Sequence, residues 1–315
     1  MSFQNDLKMR TYIYYLVLLF IIVSCQQKEK ETVFKVMSWN ILHGGNDIEN
    51  GPQNVINIIK EVNPDILLMI ETYGSGKMIA DSLGFNFHLI APKGTALDDK
   101  STNLSMYSKF PFDKRIDTDY PFYLGGRKVI INNQSINVFA NWFHYLPWDG
   151  EPEKLGKNVD ELLEWEKQGT RYEMQQKVLP VIRKYVEQTD SIPMIFAGDL
   201  NSFSHLDWTE NTKELHNNLV VPWFATKVLD DLGLIDTYRT LNPDVVKKPG
   251  ITWGTEGQPG AHRIDYIFYK GDKIKSLESE SYMAGFNQPF MFKEKKFTYP
   301  SDHGFVVTTF KLNNL

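Results

Sequence analysis

Residues 192–202 read Ile192-Pro193-Met194-Ile195-Phe196-Ala197-Gly198-Asp199-Leu200-Asn201-Ser202. An apolar, β-rich run punctuated by Pro193 and Gly198 opens into a polar stretch, which suits an interior strand whose carboxyl end feeds a loop. α/β proteins place their chemistry at such ends. Asp199 and Asn201, two apart in an extended chain, project to the same side. The first is an anion that can hold a metal or accept a proton, and the second is an amide that can hold a water or a phosphate oxygen. Gly, Asp and Asn are also the turn residues, so this stretch alone reads equally well as a plain turn.

Working outward, residues 33–39 alternate and read as a first strand ending at Asn40, followed by a Gly-rich loop over 41–50. A helix follows, with Pro52 in its first turn and Val55, Ile56, Ile58, Ile59 and Val62 forming its apolar face, before Pro64 stops it. Residues 65–70 are a buried-strand run ending at Glu71. A parallel βαβ unit is the economical reading, and it places Asn40 and Glu71 at the carboxyl ends of neighbouring strands. Residues 83–90, 103–107, 127–131 and 136–143 read as strands of an antiparallel middle portion, with His144 at the end of the last. Residues 170–187 have helical spacing, and Pro180 is expected to kink or end that helix. A helix over 223–232, a long irregular segment to Ala261, and strands over 263–269 and 305–311 complete the chain. Ser301-Asp302-His303 stands just before the final strand. No linker after residue 32 splits the chain, so residues 33–315 read as one domain.

At 315 residues, 42% hydrophobic and 23% charged, the chain has the balance of a packed globular protein. Its formal net charge of -5 argues against a broad basic surface for nucleic acid, though not against a local basic groove. Lys8 and Arg10 precede an apolar stretch over 12–23 that ends in Ile22-Val23-Ser24-Cys25. This is the layout of a secretory signal, and it falls short of the roughly 20 apolar residues of a membrane-spanning helix. The single cysteine resembles that of a bacterial lipobox, which implies a lipoprotein signal peptide over 1–24, a lipidated Cys25, a tether over 25–32 and an extracytoplasmic domain anchored to a bacterial membrane. The other readings are an unpaired cysteine after a cleaved signal and an uncleaved anchor. One cysteine makes no internal disulfide.

The polar residues at strand ends are Asn40, Glu71, His144, Asp199, Asn201, Asp265, Asp302 and His303. They supply oxygen ligands for a hard divalent cation, two histidines and an amide. Zinc fits less well, because no close His pair and no second cysteine is present. In order along the chain stand Ser38-Trp39-Asn40-Ile41, Glu71 after a buried strand, Ser108-Lys109-Phe110-Pro111, Gly198-Asp199-Leu200-Asn201, Arg263-Ile264-Asp265-Tyr266-Ile267 and Ser301-Asp302-His303. With these motifs the sequence resembles the endonuclease/exonuclease/phosphatase superfamily, which includes exonuclease III-like repair nucleases, deoxyribonucleases, magnesium-dependent sphingomyelinases and inositol polyphosphate phosphatases.

The resemblance implies an α/β fold, a four-layer αββα sandwich of two packed mixed β-sheets flanked by helices. It also implies a phosphoester hydrolase, most simply a phosphodiesterase, that uses Mg²⁺ or Mn²⁺. Carried over residue by residue, Glu71 is the principal metal ligand, with Asn40 and Asp302 completing the shell. Asp199 aligns or deprotonates the attacking water, Asn201 positions that water or a phosphate oxygen, and His303 donates to the phosphate while Asp265 orients its ring. His144 departs from the family's usual Asn-Thr-His-Leu: the run here is Asn141-Trp142-Phe143-His144, one place later, and a slip of one residue turns a strand side chain to the opposite face. The substrate stays open among a phospholipid headgroup, nucleic acid and a phosphorylated metabolite, and no protein partner is indicated. A lipid-anchored binding protein that keeps the fold without turnover is the alternative. His43, His205, His216 and His262 read as surface or loop residues, and Trp148, Trp223 and Trp253 as packing or groove residues. The segment between Asn201 and Ala261 reads as the specificity insert.

Overall fold

The computed structural model describes residues 31–254 and 257–313. The signal, Cys25 and most of the tether lie outside the described residues. The chain begins with β1 (Thr32–Asn40), α1 (Gly51–Val62) and β2 (Ile66–Ile70), and β1 and β2 pair in parallel as the βαβ reading requires. Strand β1 takes in Thr32, the last residue of the expected tether. Next come α2 (Gly76–Leu83), β3 (Asn86–Ile90), β4 (Leu104–Ser108), β5 (Phe112–Ile116), β6 (Leu124–Ile131) and β7 (Gln134–Trp142). The strand expected over 83–90 is thus two elements: Leu83 closes a helix, Gly84 caps it in the left-handed conformation, and the strand starts at Asn86.

Helices α3 (Val159–Glu166) and α4 (Thr170–Val186) precede β8 (Met194–Asp199). Pro180 does not end α4, because Val178, Leu179 and Ile182 bury against the sheet and packing overrides the local penalty. The remainder is α5 (Phe224–Asp231), β9 (Ile235–Asp236), α6 (Thr237–Leu241), β10 (Asp265–Lys270), β11 (Ile274–Tyr282), β12 (Pro289–Phe292), β13 (Lys295–Thr298) and β14 (Phe305–Leu312). The segment to Ala261 therefore contains a short strand and a helix, and a further strand and a hairpin lie between β10 and β14.

Two mixed six-stranded sheets form, in the orders β11-β14-β1-β2-β4-β3 and β5-β6-β7-β8-β10-β9. Their inner faces meet through Phe34, Val36, Leu68 and Ile70 of the first sheet and Val138, Ala140, Ile195, Ala197 and Ile267 of the second. The outer face of the first sheet is covered by α1, α2 and the β12–β13 hairpin, and that of the second by α4 and α5. The layers are those of the αββα sandwich. The insert packs its own aromatic cluster, with Phe203, Trp208 and Trp223 enclosed.

Alternation along the strands positions the site. Asn40 continues the inward face that carries Phe34 and Val36; Asp199 continues the face of Ile195 and Ala197; Asp265 precedes Ile267 and Tyr269 on the same face of β10. At one end of the inter-sheet core, apolar side chains give way to polar ones. Gly198 permits the closeness of β7 and β8 there, because a Cβ at this position would sit 1.8 Å from the Asn141 carbonyl oxygen. Its φ of 153° also lies where side chains are rare.

Candidate active site

Asp199 is completely buried and takes three donors: the Asn201 backbone N–H on Oδ1 at 2.8 Å, and Asn201 Nδ2 at 2.9 Å and Asn40 Nδ2 at 3.2 Å on Oδ2. Asn201 also donates from Nδ2 to the Phe143 carbonyl at 2.8 Å, and it sits at a φ of 47°, a conformation asparagine tolerates. Beside this pair, His303 Nδ1 meets Asp265 Oδ2 at 3.0 Å, and its Nε2 lies 3.9 Å from Asp199 Oδ2. Burial alone would lower the His303 pKa, but the Asp265 and Asp199 carboxylates outweigh it and push it up to about 10. Burial pushes Asp199 well above the usual carboxylate range, and the His303 charge opposes that rise.

On the other side stand Glu71 and Asp302. Glu71 Oε1 accepts from Asn40 Nδ2 at 3.1 Å, and Oε2 from the His43 backbone N–H at 3.4 Å. Asp302 Oδ1 is buried without a partner, and burial together with the Glu71 charge raises its pKa. A buried carboxylate oxygen with no donor, next to a second carboxylate, is the environment a hard divalent cation satisfies. The residues fit such an ion. Asn40 presents its nitrogen to Glu71 and Asp199 while its Oδ1 accepts from the Leu42 N–H at 3.1 Å, so in this arrangement it bridges the carboxylates as a donor. Asp199, Asp265 and His303 also bring ligand atoms within 4.8 Å of one another, and Asp265 Oδ1 has no partner. That cluster is the poorer cation site of the two, because Asp265 occupies His303 Nδ1 and holds the ring in its charged form.

His144 lies two residues beyond the end of β7, yet it faces the same space, because Trp142 and His144 share one side while Phe143 turns into the core behind the sheet. Position 143 takes the opposite face, so it is the later place, 144, that brings the ring to the cavity. The His144 Nδ1 is held by Thr170 Oγ1 at 2.6 Å, and burial lowers its pKa. A single cavity of about 480 Å³ is lined by Glu71, His144, Asp199, Asn201, Asp302 and His303, together with His43, Tyr73, Trp142, Tyr145, Trp148 and Trp253. Every expected site residue except Asn40 and Asp265 lines it, and those two stand directly behind, hydrogen-bonded to members of the wall.

Motif reading assigned no role to the residues that support these groups. Asn103 Oδ1 accepts the Glu71 backbone N–H at 2.9 Å and so holds Glu71 at its strained φ of 58°. Thr252 Oγ1 accepts the N–H groups of Ile264 and Asp265, both at 3.0 Å. Ser301 donates to the Asn40 carbonyl at 2.7 Å and accepts the His303 N–H at 3.0 Å. No local spacing marks Asn103 or Thr252, and Ser301, although it stands in the Ser301-Asp302-His303 motif, had no role there; each serves through hydrogen bonds to backbone groups. His43 lines the pocket and pairs with Asp47 at 2.7 Å, whereas His216 stacks on Trp208 at 3.8 Å and His262 packs on Phe203 at 4.5 Å as members of the insert core. Arg263 is bound by Asp207 and Asp236, which leaves Asp265 to His303.

The model of the Endonuclease/Exonuclease/phosphatase family matches residues 37–303, a span that includes every one of these site residues. The chain belongs to this family. Family members hydrolyse phosphoesters, and this chain is a phosphoester hydrolase of the same kind. An uncharacterised protein of Caenorhabditis elegans is 28% identical over 299 residues, covering 85% of this chain and 88% of the relative. Among solved structures, zebrafish TDP2 complexed with single-strand DNA product aligns with a TM-score of 0.56 at 15% identity, over 90% of this chain and 100% of that one. The human nocturnin catalytic domain with bound sulfate aligns at 0.55 and 18% over 90% and 98%, and an AP endonuclease from Archaeoglobus fulgidus at 0.54 and 17% over 87% and 98%. At these identities the likeness is one of fold.

Proposed function

We propose that the chain is a Mg²⁺-dependent phosphodiesterase that works outside the cytoplasm, anchored to a bacterial membrane through lipid on Cys25. The observation that carries the catalytic part is the convergence of Asp199, Asn201, His303 and the unpartnered Asp302 oxygen on one cavity. Glu71 and Asp302 would hold the cation, with Asn40 joining them by turning its amide oxygen inward. The bound ion would supply Lewis-acid polarisation of a phosphoryl oxygen, and Mn²⁺ suits the same donors.

The chain's own residues perform the rest. The two Asn201 donors fix the Asp199 carboxylate in place when Asn40 turns to the cation, and its raised affinity for protons suits a base that accepts one from the attacking water. Water oxygen bonds to phosphorus as the bond to the leaving oxygen breaks in line, and the water proton passes to Asp199. Asn201 orients the water. His303, held charged by Asp265, donates toward the phosphate as negative charge shifts onto it. His144, with Nδ1 engaged by Thr170, leaves Nε2 to face the cavity.

The test is turnover of bis(p-nitrophenyl) phosphate by the full chain in detergent, with Mg²⁺, with chelator, and in Asp199→Ala. Cleavage that requires both metal and Asp199 is expected; equal turnover by Asp199→Ala would sink the mechanism. Anchoring is tested separately: the wild type is expected in the membrane fraction and Cys25→Ser in the soluble one, and identical fractionation would remove the lipid. The support for the anchor is the charge and length pattern of residues 8–25 alone.

A further inference from the structure

Building on the phosphoester-hydrolase reading of this cavity, we propose that its substrate is a small phosphodiester with a single phosphate and a planar ring attached to it, and that nucleic-acid strands and polyphosphorylated molecules are poor substrates. The wall above the catalytic floor is aromatic: Tyr73, Trp142, Tyr145, Trp148 and Trp253 line it. Trp148 and Trp253 meet almost at right angles, 83°, with centroids 6.3 Å apart, and form a corner braced from behind by Phe203 stacked on Trp148. Tyr145 is 49% exposed and stacks on His144 at 4.3 Å, so a ring-sized apolar surface stands open beside the reacting position. A planar group gains contact on such a surface without losing hydrogen bonds to water.

Charge decides the number of phosphates. The charged side chains lining the cavity are Glu71, Asp199, Asp302 and the histidines; among the described residues, no lysine or arginine lines it. With Asp265 just behind, these carboxylates match or exceed the positive charge of one divalent cation and the His303 imidazolium. The cavity has a place for one phosphate and no surplus positive charge for a second, and a diester monoanion suits it better than a monoester dianion. A strand would need cations along its path to replace released counterions.

Lysines gather instead at the other end of the first sheet. Lys35 reaches the Val62 carbonyl at 3.3 Å, Lys109 reaches Asn63 Oδ1 at 2.7 Å, Lys293 reaches the Glu61 carbonyl at 2.8 Å, and Lys311 pairs with Glu31. These partners lie at the ends of α1 and β1 remote from Asn40: the end of α1 stands level with Lys35, about 17 Å along β1 from Asn40, and Glu31 about 30 Å.

The experiment compares kcat/KM of the full chain in detergent with Mg²⁺ for thymidine 5′-(p-nitrophenyl phosphate), the ring-free diester diethyl phosphate, p-nitrophenyl phosphate and a single-stranded oligonucleotide, at about 50 and about 200 mM salt. The thymidine diester is expected to lead the oligonucleotide by about tenfold or more and to change less than about twofold with salt. Tyr145→Ala is expected to raise KM for the thymidine diester about tenfold, with little change for diethyl phosphate, and Tyr145→Phe to restore it. An oligonucleotide preferred and steeply salt-dependent, a monoester preferred, or a Tyr145→Ala effect equal on both diesters would overturn the proposal while leaving phosphoester hydrolysis intact. Failure on all four substrates would strike the hydrolase reading itself.

Discussion

The two sides of the cavity handle negative charge in opposite ways. On the side built by β8 and β10, Asp199 receives three N–H donors and Asp265 faces a charged imidazole, so burial is offset locally by partners the chain itself supplies. On the side built by the end of β2 and the loop before β14, the Glu71 charge adds to the cost of ionising Asp302, and an Asp302 oxygen is buried with no donor. The first arrangement is the better satisfied of the two, with only Asp265 Oδ1 left without a partner. The second is strained until a cation joins it. Catalytic groups and metal ligands are therefore separable in principle, although Asn40 touches both sets.

The largest effects should come from the first side and should leave metal binding in place. Asp199→Ala and His303→Ala are each expected to lower kcat by ~10²- to 10⁴-fold, with circular dichroism unchanged and Mn²⁺ affinity by calorimetry within a few fold of wild type. A variant of either residue that loses the metal instead would erase the division. Asp302→Asn should do the reverse: metal affinity falls by ~10²-fold, while the metal-free protein melts higher because a buried charge has gone, a gain that exceeds the lost attraction to His303. For a domain of this size each ~1 kcal/mol regained appears as about 2–4 °C in Tm. If metal-free Asp302→Asn melts lower than wild type, the buried Asp302 charge is not a source of strain.

A smaller effect separates Glu71 from its support. Asn103→Ala removes the acceptor for the Glu71 N–H at a residue held at positive φ, and it should weaken metal binding about 10-fold and cost ~1–3 kcal/mol of stability. Unchanged metal affinity would mean that β2 alone fixes the ligand.

Legibility in the sequence followed the same boundary between local and distant causes. The βαβ unit over β1, α1 and β2 was readable because β1 alternates and β2, like β8, is buried on both faces and gives a continuous apolar run, and Asn40, Glu71 and Asp199 are where these strands end. Strand β11 was not readable: Ile274-Lys275-Ser276-Leu277-Glu278-Ser279-Glu280 belongs to an edge strand with one face in water, and its apolar content is too thin to stand out. The carboxylates and histidines of the site carried their own chemical signature, whereas Asn103 and Thr252 act through backbone groups, which leave no mark in the side-chain pattern, and Ser301 was legible only as part of the Ser301-Asp302-His303 motif. Alternation explains His144 too, since counting from Trp142 gives its side without any appeal to a bulge.

Histidines outside the cavity provide the control for the charged His303. His88 is 7% exposed and faces Arg127 and Arg115 rather than a strong acid, with only Asp117 opposing them; burial first, then those two cations, lower its pKa to about 3. Such an imidazole is neutral in the folded state and takes up a proton only on unfolding. Its contribution to stability is therefore full above pH 6.5 and declines as pH falls from there toward about 3. The expected loss is on the order of 2 kcal/mol by about pH 4.5, read as a shift in the urea midpoint, and His88→Gln should flatten that part of the pH profile. Were His88→Gln to keep the full acid sensitivity, burial without an anionic partner would not be what holds this ring neutral. The contrast with His303 would then need a cause other than the Asp265 carboxylate beside it.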